Sequence, residues 1–263
     1  MVVIYHGNCF DGFTAAWVAK KARPDAILIP GTYGKAIPEV PEGENEVYMI
    51  DISYPREEME LFRQKHPGLW VLDHHKTAQA ALAGHPQTIF NMEKSGARLA
   101  WEFFQQGRPP MLVQFVEDRD LWRFALPNSK EVNAYIQSFP RTLENWDTLE
   151  SNIEWNPAST VVRGQAILRS ETTRVEQMVG QVQWKTISGY LVPVVNASIL
   201  FSEVGNVLCE KFPHAPFAAY YFDRGDGVRQ WGLRSIGEFD VSEIAKQYGG
   251  GGHRNAAGFQ ESL

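Results

Sequence analysis

The sequence predicts an α/β protein: an N-terminal, mostly parallel sheet with helices on both faces, a helical connection, and a smaller C-terminal α/β unit. Three observations carry this. Short β-branched runs alternate with helical periodicity through the first half, as in repeated strand-helix units. From about Asn128 to Gln181 the strand character fades and helical segments follow one another. Strand runs then return from Val182 onward, with helical stretches between and after them.

Taken in order, VVIY (2–5) reads as the first strand, followed by a helix from about Gly12 to Lys21 that packs through Ala15, Ala16 and Ala19. AILIP (26–30), EVYMID (46–51) and LWVLD (69–73) read as further strands, and the apolar segment MLVQFV (111–116) is grouped with them. PREEMELFRQK reads as a helix with Pro55 suited to its first turn, and GARLAWEFFQQ as another. SKEVNAYIQS, LENWDTLE and STVVRGQAILRSETTRVEQMV make up the helical connection. VQWKTI, YLVPVVNA, FAAYYFD and VRQWGLRS are the later strands, with helices at SEVGNVLCEKF and VSEIAKQY. GTYGKAIPEVPEGENE (31–46) is the main Pro/Gly-rich loop.

Hydrophobic residues at 44% and charged residues at 21% exclude wholesale disorder and rod-like repeats. A net charge of −6 lacks the basic excess of a general nucleic-acid binder, so an anionic substrate must be held locally. Cys9 and Cys209 are the only cysteines, too few for a disulfide scaffold. MVVIYHGNCFDG turns polar after five residues, and YLVPVVNASIL is broken by Pro193 and Asn196, so neither reads as a signal peptide or membrane span. A cytoplasmic protein with no membrane partner is expected.

Reactive groups in open α/β sheets gather beyond the carboxyl ends of strands. Four such places carry acids and imidazoles: His6 to Asp11, Asp51, Asp73 with His74 and His75, and Asp118 with Asp120. If their strands are parallel neighbours, these groups converge, and a cation is needed to neutralise them. Oxygen and imidazole donors suit Mn²⁺, Fe²⁺, Mg²⁺ or Zn²⁺, and this many donors suit two ions sharing a carboxylate. His66, His85 and His214 stand beside prolines and read as solvated loop residues. Near the C-terminus, the run Gly249 to Gly252 before His253 and Arg254 reads as an anion nest, with Gly250, Gly251 and Gly252 as amide donors. Arg234 and Ser235 add donors at a strand end.

HGNCFDG, YMID, LDHH, EDRDLW and GGGGHRNAAGF, in this order over nearly the whole chain, resemble the DHH phosphoesterase superfamily with its C-terminal associated (GGGH) domain. Within it, the likeness is to members that cleave short oligonucleotides and nucleotides. The resemblance implies a catalytic domain over 1–127, a helical connection over 128–182, a substrate-binding domain over 183–263, and an active site in the cleft. It implies two divalent ions, Mn²⁺ or the alternatives above. His6 would bind one metal and Asp11 a metal at the same motif, with Asp51 bridging and His74 and Asp120 on the second. Asp73 and His75 would orient ligands or touch phosphate, and Asp73, His74 and His75 are the catalytic candidates, Asp73 also counting as a metal ligand. Asp118 is the alternative to Asp120, whose D-x-W spacing favours it. One departure matters: many members place two aspartates between the first histidine and the glycine, whereas here only Asp11 remains and Asn8 and Cys9, a weaker oxygen donor and a softer thiol, fill the intervening positions.

The activity implied is hydrolysis of short oligonucleotides or small, including cyclic, nucleotide phosphoesters by water activated by two metals. A nucleotide phosphomonoesterase or pyrophosphatase, a RecJ-type single-strand exonuclease and a non-catalytic nucleotide sensor are the alternatives. The chain has no room for the added barrel of RecJ-type enzymes, and acids outnumber Lys and Arg within 201–263, so long nucleic acid is not expected as a partner. The oligomeric state is open, a homodimer included.

Overall fold

The computed structural model describes residues 1–263 and divides into two compact units, Met1–Leu168 and Arg169–Leu263. The first unit is built on a five-stranded, wholly parallel sheet. Its strands are β1 (Val2–His6), β2 (Ile27–Gly31), β3 (Val47–Ile50), β4 (Trp70–Asp73) and β5 (Thr88–Phe90), in the spatial order β2-β1-β3-β4-β5. The pleat sends successive side chains to opposite faces. Val3 and Tyr5 therefore join one core, with α1 (Phe10–Ala22), α4 (Gly96–Phe104) and α5 (Met111–Asp120), while Val2 and Ile4 join the other. That second core receives Met59 of α2 (Arg56–Lys65) and Leu82, just after α3 (Lys76–Ala81). Both faces of β1, β3 and β4 are covered, which is why these strands read as continuous apolar runs.

The helices α6 (Ser129–Gln137) and α7 (Leu143–Trp155) pack Val132, Tyr135, Ile136, Trp146, Leu149 and Ile153 into the first core. Trp146 is fully buried, and its indole N–H donates to Thr14 Oγ1 on α1 (2.9 Å). The division between the units falls inside α8 (Pro157–Val179).

The second unit holds a separate six-stranded mixed sheet in the order β10-β11-β9-β8-β7-β6. It comprises β6 (Gln183–Ile187), β7 (Tyr190–Asn196), β8 (Ala218–Asp223), β9 (Val228–Arg234), β10 (Gly251–His253) and β11 (Ala256–Ser262). Only β7 and β8 run parallel; the other pairs are antiparallel. α9 (Phe201–Lys211) buries Val204 and Leu208 against one face, and α10 (Val241–Gln247) buries Val241 and Ile244 against the other.

Three readings from the sequence need correction. MLVQFV is not a strand but the body of α5, so Asp118 and Asp120 lie in the last turn of a helix. Its Leu112, Val113, Phe115 and Val116 are buried at helical spacing, and a short apolar run does not distinguish a buried strand from a buried helix. The edge strand β5, three residues long, was not anticipated. His85 is not solvated: its side chain is 7% exposed and lies 3.6 Å from Glu60. No helix is long and apolar enough to cross a membrane.

Candidate metal centre

Parallel pairing sets the site. Tyr5 is in register with Ile50, and Ile50 with Leu72, so the residues that follow emerge side by side from the carboxyl ends of β1, β3 and β4. These are His6, Asp51, and the run Asp73, His74, His75. Two helices complete the set: Asp11 stands in the first turn of α1, and Asp120 ends α5.

Asp51 is central. It follows β3 with φ of 60°, a left-handed conformation that few residues other than glycine, asparagine and aspartate adopt readily. Its N–H still donates to Leu72 O (2.9 Å), so the turn away from the sheet happens at this residue. One carboxylate oxygen, Oδ1, lies 3.1 Å from His74 Nε2, while Oδ2 lies 3.5 Å from His6 Nδ1. The two oxygens therefore face two donor groups. On one side are His6, Cys9 and Asp51; on the other, Asp11, His74 and Asp120 present atoms within 4.8 Å of one another. His74 Nε2 is 3.8 Å from Asp11 Oδ2 and 3.5 Å from Asp120 Oδ2. Asp11 thus groups with His74 and Asp120, not with His6 as the motif order implied, because α1 begins at Phe10 and carries Asp11 away from the end of β1.

Asp11 is also fixed from outside the cluster. Its two oxygens accept the backbone N–H groups of Gly96 and Ala97 at the start of α4, where unpaired amides and the helix dipole favour an anion. Gly96 is obligatory here: a Cβ would lie 2.6 Å from Asp51 Cβ and 2.9 Å from Asp11 Oδ2. Asp73 acts differently. Its Oδ1 accepts from the backbone N–H groups of His74 (2.7 Å) and His75 (3.2 Å) and pairs with His75 Nδ1 (2.7 Å), fixing the His75 ring and the backbone of both histidines.

The electrostatics show what the cluster needs. Burial opposes the charge on Asp51, but the neighbouring imidazoles of His6 (3.5 Å) and His74 (3.1 Å) outweigh it and hold this carboxyl well below the usual range. Burial likewise opposes the His74 imidazolium, yet the Asp51 hydrogen bond and the charges of Asp120, Asp51 and Asp11 push it up to about 10. Asp11 is driven well above its ordinary value by burial and then by Asp120 and Asp51, and burial also raises Asp120. Burial and mutual repulsion thus oppose full ionisation of these crowded carboxylates, a conflict that a bound cation relieves. Asp51 Oδ2 and Asp73 Oδ2 are buried with no hydrogen-bond partner. Carboxylates, imidazoles and one thiol with orphaned buried oxygens fit divalent ions, and two of them if Asp51 bridges.

The remaining sequence candidates are placed as follows. Asp118 stands apart, its oxygens accepting from the N–H groups of Ala125 (2.9 Å) and Leu126 (3.1 Å) to close the loop after α5. Asn8 is exposed, whereas Cys9 is half-buried. In the second unit, Arg234 donates to Leu233 O and Ser202 Oγ (both 3.0 Å), and the Ser235 hydroxyl donates to Phe239 O (2.7 Å). Arg254 pairs with Glu238 (2.7 Å). The glycine run has a packing reason that the sequence reading did not weigh. Gly249 has φ of 75°, and side chains at Gly250 and Gly252 would strike β11. Tyr33, from the Pro/Gly-rich loop, was missed: its ring lies edge-on between His6 (5.1 Å) and His75 (5.8 Å).

With a five-stranded parallel sheet, this histidine-aspartate cluster at its strand ends and a separate mixed sheet after it, the chain has the fold of DHH-domain proteins. Its fold matches the DHH domain of a member of the S1p family of ribosomal proteins, with a TM-score of 0.62 at 13% identity over 100% of this chain and 82% of that one. It also matches Thermus thermophilus RecJ in complex with Mn²⁺, with a TM-score of 0.54 at 14% identity over 98% of this chain and 49% of that one. A third match is the pGpG-specific phosphodiesterase PggH of Vibrio cholerae, with a TM-score of 0.50 at 13% identity over 100% of this chain and 93% of that one. In sequence, the chain is 33% identical to protein R106 of Acanthamoeba polyphaga mimivirus over 98% of its own length and 66% of that protein. It is 32% identical to the oligoribonuclease NrnB of Bacillus subtilis over 36% of its own length and 24% of that protein. The chain therefore spans just under two thirds of the mimivirus relative and about a quarter of NrnB. No family model matches the chain.

Proposed function

We propose that the chain is a metal-dependent phosphodiesterase that hydrolyses short oligonucleotides or small, including cyclic, nucleotide phosphoesters. The observation that carries this reading is Asp51, whose two oxygens face His6 and His74 from one buried carboxylate. That is the arrangement required of a ligand shared by two ions about 3.5–4 Å apart. Asp51 with His6 would hold one ion, and Asp51 with Asp11, His74 and Asp120 the other, Mn²⁺ being the first candidate. When bound, such ions lower the pKa of water and neutralise charge developing on phosphorus.

The chain's own groups do the positioning. The backbone amides of α4 hold Asp11, and Asp73 holds the His75 ring and the backbone of both histidines. Asp73 raises His75 against the effect of its burial, and the ring is proposed as a donor to a phosphate oxygen. Arg234, Ser235, His253, Arg254 and the amides of Gly250 to Gly252 are proposed as the substrate-binding set of the second unit. Of these, Arg234 fits best, since its guanidinium is braced against Ser202 and keeps further N–H donors. Ser235 and Arg254 already hold partners within their unit.

The substrate class is supported by the likeness to the oligoribonuclease NrnB and the pGpG-specific phosphodiesterase PggH and by the net charge of −6. Hydrolysis of pGpG, a cyclic dinucleotide, a 3′,5′-bisphosphonucleotide and longer single strands, each with Mn²⁺, tests it. Efficiency is expected to peak at about two to five nucleotides and to depend weakly on salt, since each phosphate contact on single strands adds only about −0.7 to the slope. A KM that improves steadily with strand length, with a steep salt slope, would instead establish a RecJ-type exonuclease.

A further inference from the structure

We propose that the Cys9 thiol is itself a metal ligand, forming with His6 and Asp51 a site that takes a softer divalent ion than the Asp11, His74 and Asp120 site beside it. The inference rests on the reading of the cluster as a metal centre and adds a chemical difference between its two halves.

Two independent observations support it. The first is position. Ligand atoms of His6, Cys9 and Asp51 all lie within 4.8 Å of one another. Bonds of about 2.0–2.3 Å to a common ion place its ligands roughly 3–4 Å apart, so a small side-chain adjustment suffices. The second is Asp51 Oδ2, the oxygen on this side, which is buried at a residue only 1% exposed and has no hydrogen-bond partner. A buried carboxylate oxygen with no hydrogen-bond partner, 3.5 Å from the His6 ring and grouped with the Cys9 thiol, calls for a cation.

The local backbone points the same way. Cys9 occupies the N-cap of α1 with extended dihedrals, φ −119° and ψ 145°, and makes no side-chain cap hydrogen bond. Ser, Thr, Asp or Asn at such a position would stabilise the helix by about 1 kcal/mol. A cysteine forgoes that stabilisation, and here its sulfur lies within 4.8 Å of the ligand atoms of His6 and Asp51.

The consequence is selectivity. Thiolate sulfur favours Zn²⁺, Fe²⁺ or Co²⁺ over Mn²⁺ and Mg²⁺, whereas three carboxylates and one imidazole suit the harder ions. The two halves of the centre should therefore fill with unlike metals when several are offered. On binding, the sulfur-metal bond forms as the thiol proton leaves to solvent, so loading the first half releases a proton.

Co²⁺ titration of the chelator-stripped full chain tests this. A near-ultraviolet thiolate-to-cobalt charge-transfer band is expected to saturate at one ion per chain, to persist in Cys209→Ser and to vanish in Cys9→Ser. Cys9→Ser should still bind Co²⁺ at the other half, and its Zn²⁺ affinity at the first half should fall about tenfold or more. As a check that needs no variant, Zn²⁺ should slow alkylation of Cys9 in the unaltered protein about tenfold or more, read by peptide mass spectrometry. Two Co²⁺ ions bound with no such band, or Cys9 alkylated at equal rates with and without Zn²⁺, overturns the Cys9 assignment and leaves the hydrolase reading intact. Failure to bind Co²⁺ at all removes the metal centre, and the hydrolase reading with it.

Discussion

Replacing Gly96 by alanine adds one methyl group at the point where α4 meets two acids of the cluster. The new Cβ would lie 2.6 Å from Asp51 Cβ and 2.9 Å from Asp11 Oδ2, against an optimal carbon-carbon separation of about 3.5–4.0 Å. About 1 Å must be found. The flanking strand ends are buried, so the movement falls on the start of α4 or on the Asp51 side chain. The first choice pulls the Gly96 and Ala97 amides away from Asp11; the second turns an Asp51 oxygen away from His74. Overpacking of this kind costs about 1–3 kcal/mol in stability, and a displacement of about 1 Å at a reacting centre can cost on the order of 100-fold in rate. Urea unfolding of the chelator-treated protein, Mn²⁺ binding by calorimetry and dinucleotide hydrolysis measure the three effects separately. Gly225→Ala is the control, since a Cβ there meets nothing within 4 Å. Wild-type stability, Mn²⁺ affinity and turnover in Gly96→Ala would refute the claim that close approach at this glycine shapes the centre.

Further predictions concern individual groups. Asp51→Asn should weaken both metal positions together, by more than the roughly 10–100-fold typical of a supporting partner, and loss of one ion alone in calorimetry would contradict a bridging role. Asp118→Ala should lower stability by about 1–3 kcal/mol, because two backbone amides lose their acceptor; Asp120→Asn should instead lower metal affinity, and a reversed pattern would exchange the two assignments. In the metal-free protein, stability should fall as pH rises from about 6.5 towards 10. His74 holds its proton up to about 10 in the folded state, so its contribution is complete below the ordinary imidazole value of about 6.5 and is lost above it. Asp11 and Asp120, also raised, act in the same sense, but their contribution begins to be lost from the ordinary carboxylate value of about 3.9 upward. Denaturant unfolding with chelator at about pH 6.5 and 9.5 checks this, and an unchanged or increased stability at the higher pH would count against it.

Much of the architecture was legible because each central strand is covered on both faces and so consists of consecutive apolar residues. The same property misled at MLVQFV, where a helix buried on most sides gives an identical run. Convergence of His6, Asp51 and His74 was readable once the strands were taken as parallel neighbours, since parallel pairing sets their ends side by side. The grouping of Asp11 with Asp120 was not, because it depends on where α1 begins and on the amides of α4, more than eighty residues away in sequence. Nothing in the loop around Tyr33 singles out that ring. In the glycine run, a sequence of flexible residues is compatible with an anion nest and with tight packing, and contact with β11 is visible only in three dimensions.

The left-handed backbone at Asp51 narrows the substitutions open to this position. Asparagine and glycine can occupy φ of 60° at modest cost, whereas a longer or branched side chain would add backbone strain of about 1–3 kcal/mol before its chemistry came into play. Glutamate would keep the charge but adopt this conformation poorly, so the nearest acidic substitute is disfavoured by the main chain. A saturation library at codon 51 should accordingly yield folded protein chiefly from Asn and Gly, neither of which carries charge. Selection for activity would then return aspartate alone, making this a position where drift in the metal centre has almost no neutral path.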